Sequence, residues 1–518
     1  MTAPVGTLTS PDGRLISALA GPDKAPLEMG TLPEWLPRQR WFGAKDSTIS
    51  GVTLVPLGEL EAGAHALVAA DVAVGDETQR YLLPVSALWS DAADGEGASA
   101  AHPVLADIRS GERSGALIDS ALQQGLARAL LAAMRRQERL PAEDGTVVFF
   151  GSDTLRRNEA IGEPRPLGAE QSNVSIAFGS EVILKLYRRL RAGEQPDVEV
   201  ARFLSNVGHF RNTPEFLGEI QFQPEWGEPT TLAAAFAFVP NQGDAWSSVT
   251  EALAQSLPET EGRSDGQFTP AAMVGTILGQ RTAELHTALA VPTGDPDFAV
   301  EPLAQTNVAT WADEAVAEAE DLLGRLEKGL SGLDGSARAI AEEVLGKRDT
   351  LIQRLRAAAG MTPSGGRSRI HGDYHLGQVL VTGDDVMIID FEGEPKRSLP
   401  ERRAKSSPLR DVAGMLRSFH YAAFTALSRY GKDTGAVPDA VRSRSEIWRQ
   451  QVSADFLEAY NRHIAGAASY PTDPAFAKAL TDLFLLQKAI YEIGYELANR
   501  PDWVQIPLSG VRDLLAEA

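Results

Sequence analysis

The sequence predicts an α+β chain of two lobes, rich in strands up to about residue 240 and helical beyond it. Three observations carry that prediction. Short apolar or alternating blocks bounded by Gly, Pro and polar residues fill the first part. From about residue 245 the apolar spacing takes the helical period. Two strand-like runs, SRIHGDYHLGQVLVT and DVMIIDFEGEP, then interrupt the helices and leave Asp373 and Asp390 only 17 positions apart. At 518 residues and 43% hydrophobic content, the chain exceeds what one core usually serves, so two or three packed subdomains are expected.

Taken in order, residues 1–30 read as a candidate disordered extension. Residues 31–140 form an α/β unit that opens on TLPEWLPRQRWFGAK, a Pro-punctuated helical start rich in Trp and Arg, and continues through strands at VTLVPL, HALVAADVAV and RYLLPVSAL. The acidic DAADGEGASAAH reads as a surface loop. GALIDSALQQGLARALLAAMRRQERL reads as the helix that closes the unit. Residues 141–240 carry strands at GTVVFFG, NVSIAFG, EVILKLYR and TTLAAAFAFV. PDVEVARFLSNV reads as a helix, with Pro196 at its start and Asp197 and Glu199 in its first turn. FAFVPNQGDAW reads as a hinge. Residues 241–518 are expected to be helical, with AAMVGTILGQRTAELHTALA followed by WADEAVAEAEDLLGRLEKGL and SARAIAEEVLGKRDTLIQRLRAAA as a long antiparallel pair.

The two carboxylate-bearing runs indicate phosphoryl transfer. That chemistry needs a carboxylate beside the attacking hydroxyl and hard oxygen ligands that hold Mg²⁺ against nucleotide phosphates. HGD-x4-Q followed by DFE supplies both: Asp373 as base, and Gln378 with Asp390 as metal ligands. Compared with the protein-kinase template of HRD-x4-N and DFG, Gln replaces Asn and Glu392 replaces Gly. Glu392 is therefore either a further metal ligand or a solvated acid. A Lys on a strand followed by a Glu on a helix completes the template, which selects Lys185 for the ATP phosphates with Glu199 as its partner. No G-x-G-x-x-G precedes Lys185. Instead GAEQSNVSIAFG offers Gln171, Ser172, Asn173 and Ser175, either as a polar phosphate cradle or as a plain β-turn.

A formal charge of −21 would repel a phosphate backbone or an anionic bilayer, so neither nucleic acid nor membrane is an expected partner. A neutral acceptor such as a sugar suits that field better. No apolar run approaches the roughly 18 residues of a membrane span, and the N-terminus lacks a secretory pattern. The absence of cysteine excludes disulfides and thiolate metal sites, and a cytoplasmic protein is expected. No His/Asp/Glu set has zinc spacing.

Several blocks together, IHGDYHLGQVL, IIDFEGEP, ERRAKSSPLRDVAGMLRSFHYAA, KAIYEIGYELANRPDWVQIPL and LPRQRWFGAK, resemble the maltokinases. The resemblance runs from about residue 31 to the C-terminus. It implies a bilobal protein-kinase-like fold of the aminoglycoside phosphotransferase type, with an N-terminal cap, an intermediate subdomain completing the ATP-binding lobe, and a helical lobe. It also implies transfer of the ATP γ-phosphate to the anomeric hydroxyl of maltose, giving maltose 1-phosphate for glycogen synthesis from trehalose, with trehalose synthase as a candidate partner. Carried over by motif, Asp373 is the catalytic base, Gln378 and Asp390 hold Mg²⁺, and Lys185 with Glu199 serves ATP.

The resemblance places the sugar on the KAIYEIGYE helix, where Lys488, Tyr491, Glu492 and Tyr495 recur at offsets of three and four. The aromatic rings can cover a pyranose and the charged groups can bind hydroxyls. His371 is placed among the substrate contacts. The bland alternative is an amphipathic helix with an internal Lys–Glu pair. Arg410 and Asp411 read as an ion pair supporting the catalytic loop. The alternatives to a maltokinase are another small-molecule kinase, such as a glucosamine kinase, and an inactive module that docks on a trehalose synthase.

Overall fold

The computed structural model describes residues 6–45, 47–91, 103–169, 173–257 and 269–516. The expected surface loop at residues 91–102 lies almost wholly outside them. Contacts divide the chain into two units, residues 1–202 with 214–240, and residues 203–213 with 241–518.

The first unit is built on strands β1 (Thr7–Thr9), β2 (Ile49–Leu60), β3 (His65–Val74), β4 (Glu77–Leu82), β5 (Val85–Trp89), β6 (Val104–Ser110), β7 (Arg113–Asp119), β8 (Arg139–Ala142), β9 (Gly145–Gly151), β10 (Pro164–Ala169), β11 (Asn173–Phe178), β12 (Val182–Tyr187), β13 (Arg189–Leu190), β14 (Phe216–Pro224) and β15 (Thr230–Ala237). Its helices are α1 (Leu15–Ala20), α2 (Leu32–Trp35), α3 (Gln124–Arg136), α4 (Asp153–Arg157) and α5 (Pro196–Phe203). One sheet runs β1-β6-β7-β5-β3-β4-β13, with β2 also on β3. The other runs β10-β11-β12-β15-β14-β9-β8.

Strand alternation separates two cores. Along β3, Leu67 and Ala69 point into a cluster shared with Leu126, Leu130 and Met134 of α3 and with Phe149, Ile176 and Leu184 of the second sheet. Ala66, Val68, Ala70 and Val72 point the other way, into a core closed by Leu8, Leu15, Leu19, Leu27 and Phe42. Residues 6–30 are thus not a disordered extension. β1 pairs in parallel with β6, and the apolar stripe of α1 covers the sheet.

The closing helix starts later than the apolar run suggests. Gly115–Asp119 belong to β7, hydrogen-bonded on both sides to β5 and β6, and α3 begins only at Gln124. A Cβ at Gly115 would collide with the Leu88 carbonyl, so this glycine permits close strand pairing.

In the second unit the helices are α6 (Ala245–Ser256), α7 (Thr269–Ala288), α8 (Gln305–Gly329), α9 (Gly335–Gly346), α10 (Arg348–Arg356), α11 (Leu399–Arg403), α12 (Leu409–Thr434), α13 (Asp439–Ile464), α14 (Pro474–Asn499) and α15 (Gln505–Ala516). Two antiparallel pairs accompany them, β16 (Glu301–Pro302) with β17 (Gly366–Arg367), and the hairpin of β18 (Val379–Thr382) with β19 (Asp385–Ile388). The helix expected over residues 336–359 is broken at Lys347 into α9 and α10. Residues 203–213 join this unit through Phe203, which stacks on Phe298 at 3.8 Å, and Asn212, whose side chain donates to Asp385 at 3.1 Å and to the Val386 carbonyl at 2.9 Å. Arg281 of α7 clasps both Asp385 oxygens at 2.8 and 2.7 Å and so fixes the β18–β19 hairpin.

Candidate active site

In the first unit, β12 alternates Val182, Leu184 and Leu186 into the core and turns Lys185 and Tyr187 to the opposite face. Lys185 Nζ lies 3.0 Å from Asp197 Oδ2, and the Tyr187 hydroxyl donates to the same oxygen at 3.0 Å. Asp197 is therefore a partner of Lys185 that the sequence reading passed over, since a first-turn acid needs no ligand to explain it. Glu199, the partner chosen from the sequence, is buried two residues further along α5. Asn173 and Ser175 are buried strand positions instead of loop residues. Ser175 stands directly opposite Lys185 in the β11–β12 register, on the same sheet face. Gln171 and Ser172 lie outside the described residues.

In the second unit the HGD loop is held from behind. Asp411, in the first turn of α12, is buried. Its Oδ2 accepts from the His371 backbone N–H at 2.7 Å and from His286 Nε2 at 3.1 Å, while Oδ1 accepts from Gly372 N–H at 2.9 Å. Burial pushes the Asp411 carboxyl up, but His286 and these donors outweigh it and keep it ionised below the ordinary range. Gly372 adopts a φ of 83°, which the turn into Asp373 requires. Ser418, further along α12, accepts from Leu376 N–H at 3.1 Å.

His371, placed among the substrate contacts from the sequence, is turned into the protein interior. It is 1% exposed, packed between Tyr374 and Phe391, and its Nε2 donates to the Ile389 carbonyl at 3.0 Å. This bond ties the HGD loop to the segment leading to Asp390.

Gln378 Nε2 donates to Asp390 Oδ2 at 3.0 Å. Asp390 takes a left-handed φ of 68°, uncommon for a residue with a side chain. An amide and a carboxylate in contact, with Glu392 two residues on, form an all-oxygen donor set suited to Mg²⁺.

Lys488 Nζ lies 3.7 Å from Asp373 Oδ1 and 3.5 Å from Glu394 Oε1. Burial lowers its pKa, but Asp373, Glu394 and Glu492 outweigh that and keep it charged. Glu394 also accepts from Arg397 Nε at 2.9 Å. Burial pushes its carboxyl up, while Lys488 and Arg397 more than reverse the shift. A small cavity beside Asp373 is walled by Glu318, Glu394, Arg397, Arg410, Gln487, Lys488 and Tyr491. Tyr491 stacks near Tyr495 with centroids 6.5 Å apart, and Lys396 lies over both rings. A larger cavity, about 480 Å³ and bounded by α12, α13, α14 and α15, contains none of the candidate catalytic or metal residues.

Two assignments on these helices change. Glu492 Oε2 accepts from Arg417 Nε at 2.9 Å and Nη2 at 2.7 Å, which pairs this carboxylate with α12, a partner the sequence reading did not give it. Arg410 does not pair with Asp411. Its Nη1 donates to Gln487 Oε1 at 3.1 Å on the cavity wall, and burial lowers its pKa to about 10. Glu318, Glu394 and Arg397 were missed by sequence reasoning. Glu394, inside the DFEGEP block, and Arg397, in the basic run KRSLPERRAK that follows it, had sequence signals that could have pointed to them.

Known proteins match this arrangement. Residues 35–139 match the sequence profile described as the maltokinase N-terminal cap domain, and residues 162–442, more than half of the chain, match the phosphotransferase enzyme family. A glucosamine kinase of Streptacidiphilus jiangxiensis is 27% identical over 402 residues, 76% of this chain and 82% of that protein. One from Mycolicibacterium smegmatis is 28% identical over 398 residues, 76% of this chain and 88% of that protein. A solved glucosamine kinase in complex with glucosamine, ADP and inorganic phosphate superposes with a TM-score of 0.63 at 21% identity, covering 90% of this chain and 94% of that one, a likeness of fold. With its catalytic-loop motifs and a maltokinase-type cap ahead of them, the chain belongs to the phosphotransferase enzyme family, with a kinase-like α+β fold.

Proposed function

We propose that this protein is a sugar kinase that transfers the γ-phosphate of ATP to the anomeric hydroxyl of maltose. The observation that carries the kinase reading is Asp373, presented on a loop braced by Asp411 and flanked by Lys488 and Glu394. Asp373 accepts the proton of the attacking hydroxyl. Mg²⁺, held by Gln378 and Asp390 with Glu392 as a further candidate ligand, would neutralise charge on the phosphates. Lys185 is assigned to the ATP phosphates, with Asp197 and Glu199 as the acids beside it. Gln487, Lys488 and Tyr491 supply hydrogen-bond groups and an aromatic face for the acceptor. The maltokinase-type cap supports maltose.

A second reading, glucosamine as acceptor, is favoured by one feature of the cavity besides the relatives. Glu318 is a wall residue whose carboxyl is pushed up by burial, offset in part by a hydrogen bond from Gln487 at 3.2 Å and by Arg397 and Arg410. A carboxylate on the cavity wall is the group that a protonated amine would seek. Coupled ADP release with Mg²⁺-ATP against maltose, glucose, glucosamine, trehalose and an aminoglycoside decides between them. Maltose ranked first is expected. Glucosamine ranked first, with that preference lost in Glu318→Gln, overturns the maltose assignment, and no turnover with any acceptor overturns the kinase reading.

A further inference from the structure

We infer that the N-terminal cap is a positioning device for Lys185, acting through a clamp between Arg188 and Asp119. This rests on the reading of Lys185 as the ATP-phosphate lysine. The chain leaves β12 one residue after Tyr187 and, before it returns as α5, it becomes a strand of the cap's own sheet. Arg189 and Leu190 of β13 pair with Tyr81 and Arg80 of β4. The stretch that separates Lys185 from Asp197 is thus threaded through the cap.

The clamp sits at the entry to that detour. Arg188 is 2% exposed, and its backbone carbonyl accepts from Leu82 N–H at 2.8 Å. Its Nη2 donates to both Asp119 oxygens at 3.1 and 2.7 Å, and its Nη1 to the Leu82 carbonyl at 3.2 Å. The guanidinium lies 4.6 Å from the Trp41 ring centroid, which gives the Trp/Arg-rich segment near the N-terminus a structural role. At the exit, Gly193 N–H donates to the Pro229 carbonyl at 2.8 Å and bridges to Thr230, returning the chain to β15. Three residues later Pro196 starts α5, whose Asp197 receives Lys185 and Tyr187.

A lysine on a long flexible stem serves phosphate only if its strand and its acidic partner hold a fixed spacing. Here both ends of the connection are tied, one of them by a desolvated ion pair in which Arg188 Nη2 reaches both oxygens of the cap's Asp119. Loosening that pair lets β13 peel from β4, so that the spacing of Lys185 and Asp197 varies while the sugar-binding helix is untouched.

The test compares Asp119→Asn and Arg188→Lys with wild type, measuring KM for ATP, KM for the best acceptor, ADP affinity by calorimetry and melting temperature. Both variants should weaken ATP and ADP by about tenfold, with the acceptor KM within about twofold. Arg188→Lys keeps the charge and most of the volume, so it reports even if Asp119→Asn folds poorly. Leu105→Ala, a cap-core change outside the clamp, should lower the melting temperature and leave nucleotide affinity alone. Equal nucleotide loss in Leu105→Ala, or unchanged nucleotide affinity in both clamp variants, overturns the clamp. Lys185→Met separates the two layers: weakened nucleotide there with intact clamp variants refutes only the clamp, whereas unchanged nucleotide refutes the lysine assignment and the clamp together.

Discussion

Replacing Asp411 by Asn tests whether the catalytic loop is held by charge and acceptor count. Asp411 takes three donors on two oxygens, so the amide nitrogen of Asn must displace at least one of them. If the nitrogen takes the Oδ1 place, Gly372 N–H faces another donor. If it takes the Oδ2 place, His371 N–H and His286 both lose their acceptor. The less damaging choice leaves one buried backbone donor unpaired, at about 1–3 kcal/mol. That corresponds to a melting-temperature drop of roughly 2–5 °C for a unit of this size. Alternatively the loop shifts to find water, and a displacement of about 1 Å at Asp373 costs on the order of 10²-fold in turnover. Steady-state kcat under saturating ATP and acceptor, measured beside thermal melting, distinguishes the two routes. A variant with wild-type kcat and wild-type melting temperature would refute the bracing role of Asp411.

Asp373→Asn is expected to lower kcat by about 10²–10⁴-fold while ADP affinity stays near wild type, and retention of more than about a third of turnover would remove it as the general base. Asp390→Asn keeps a residue that tolerates the left-handed backbone and removes only the charge, so a Mg²⁺ titration should shift to at least about tenfold higher concentration, and an unshifted curve would move the metal anchor elsewhere. Glu492→Ala leaves the Arg417 guanidinium buried without its carboxylate partner, at about 3–5 kcal/mol, so melting temperature should fall with the acceptor KM little changed. A raised acceptor KM at an unchanged melting temperature would return Glu492 to the sugar site.

Legibility followed the kind of signal each residue carried. The HGD-x4-Q and DFE runs pointed to Asp373, Gln378 and Asp390 because fixed local spacing survives folding, and the structure brings the last two into contact. On α14 the periodicity was read as one shared face, yet a helix face is wide enough to serve two neighbours. Lys488 turns to Asp373 while Glu492, four residues on, turns to Arg417. Glu318 and Arg397 come from separate elements whose convergence only the tertiary fold determines. Asp197 was hidden by a competing explanation, since an acid in a first helical turn is stabilised by the helix dipole alone. The N-terminal residues were hidden by Pro and Gly between short apolar clusters, too brief for periodicity to register.

The strand β3, buried on both faces, bears on how this kinase could be cut down. Its odd-numbered Leu67 and Ala69, together with Leu126, Leu130 and Met134 of α3, fill the same interior as Phe149, Ile176 and Leu184. A truncation starting near residue 141 would strip the second sheet of one wall of its interior and leave a contiguous apolar surface in water. Such a fragment should aggregate instead of folding as a minimal phosphotransferase. The cap therefore shares its packing with the second sheet, and any fusion or expression boundary has to respect the unit that joins residues up to 202 with 214–240.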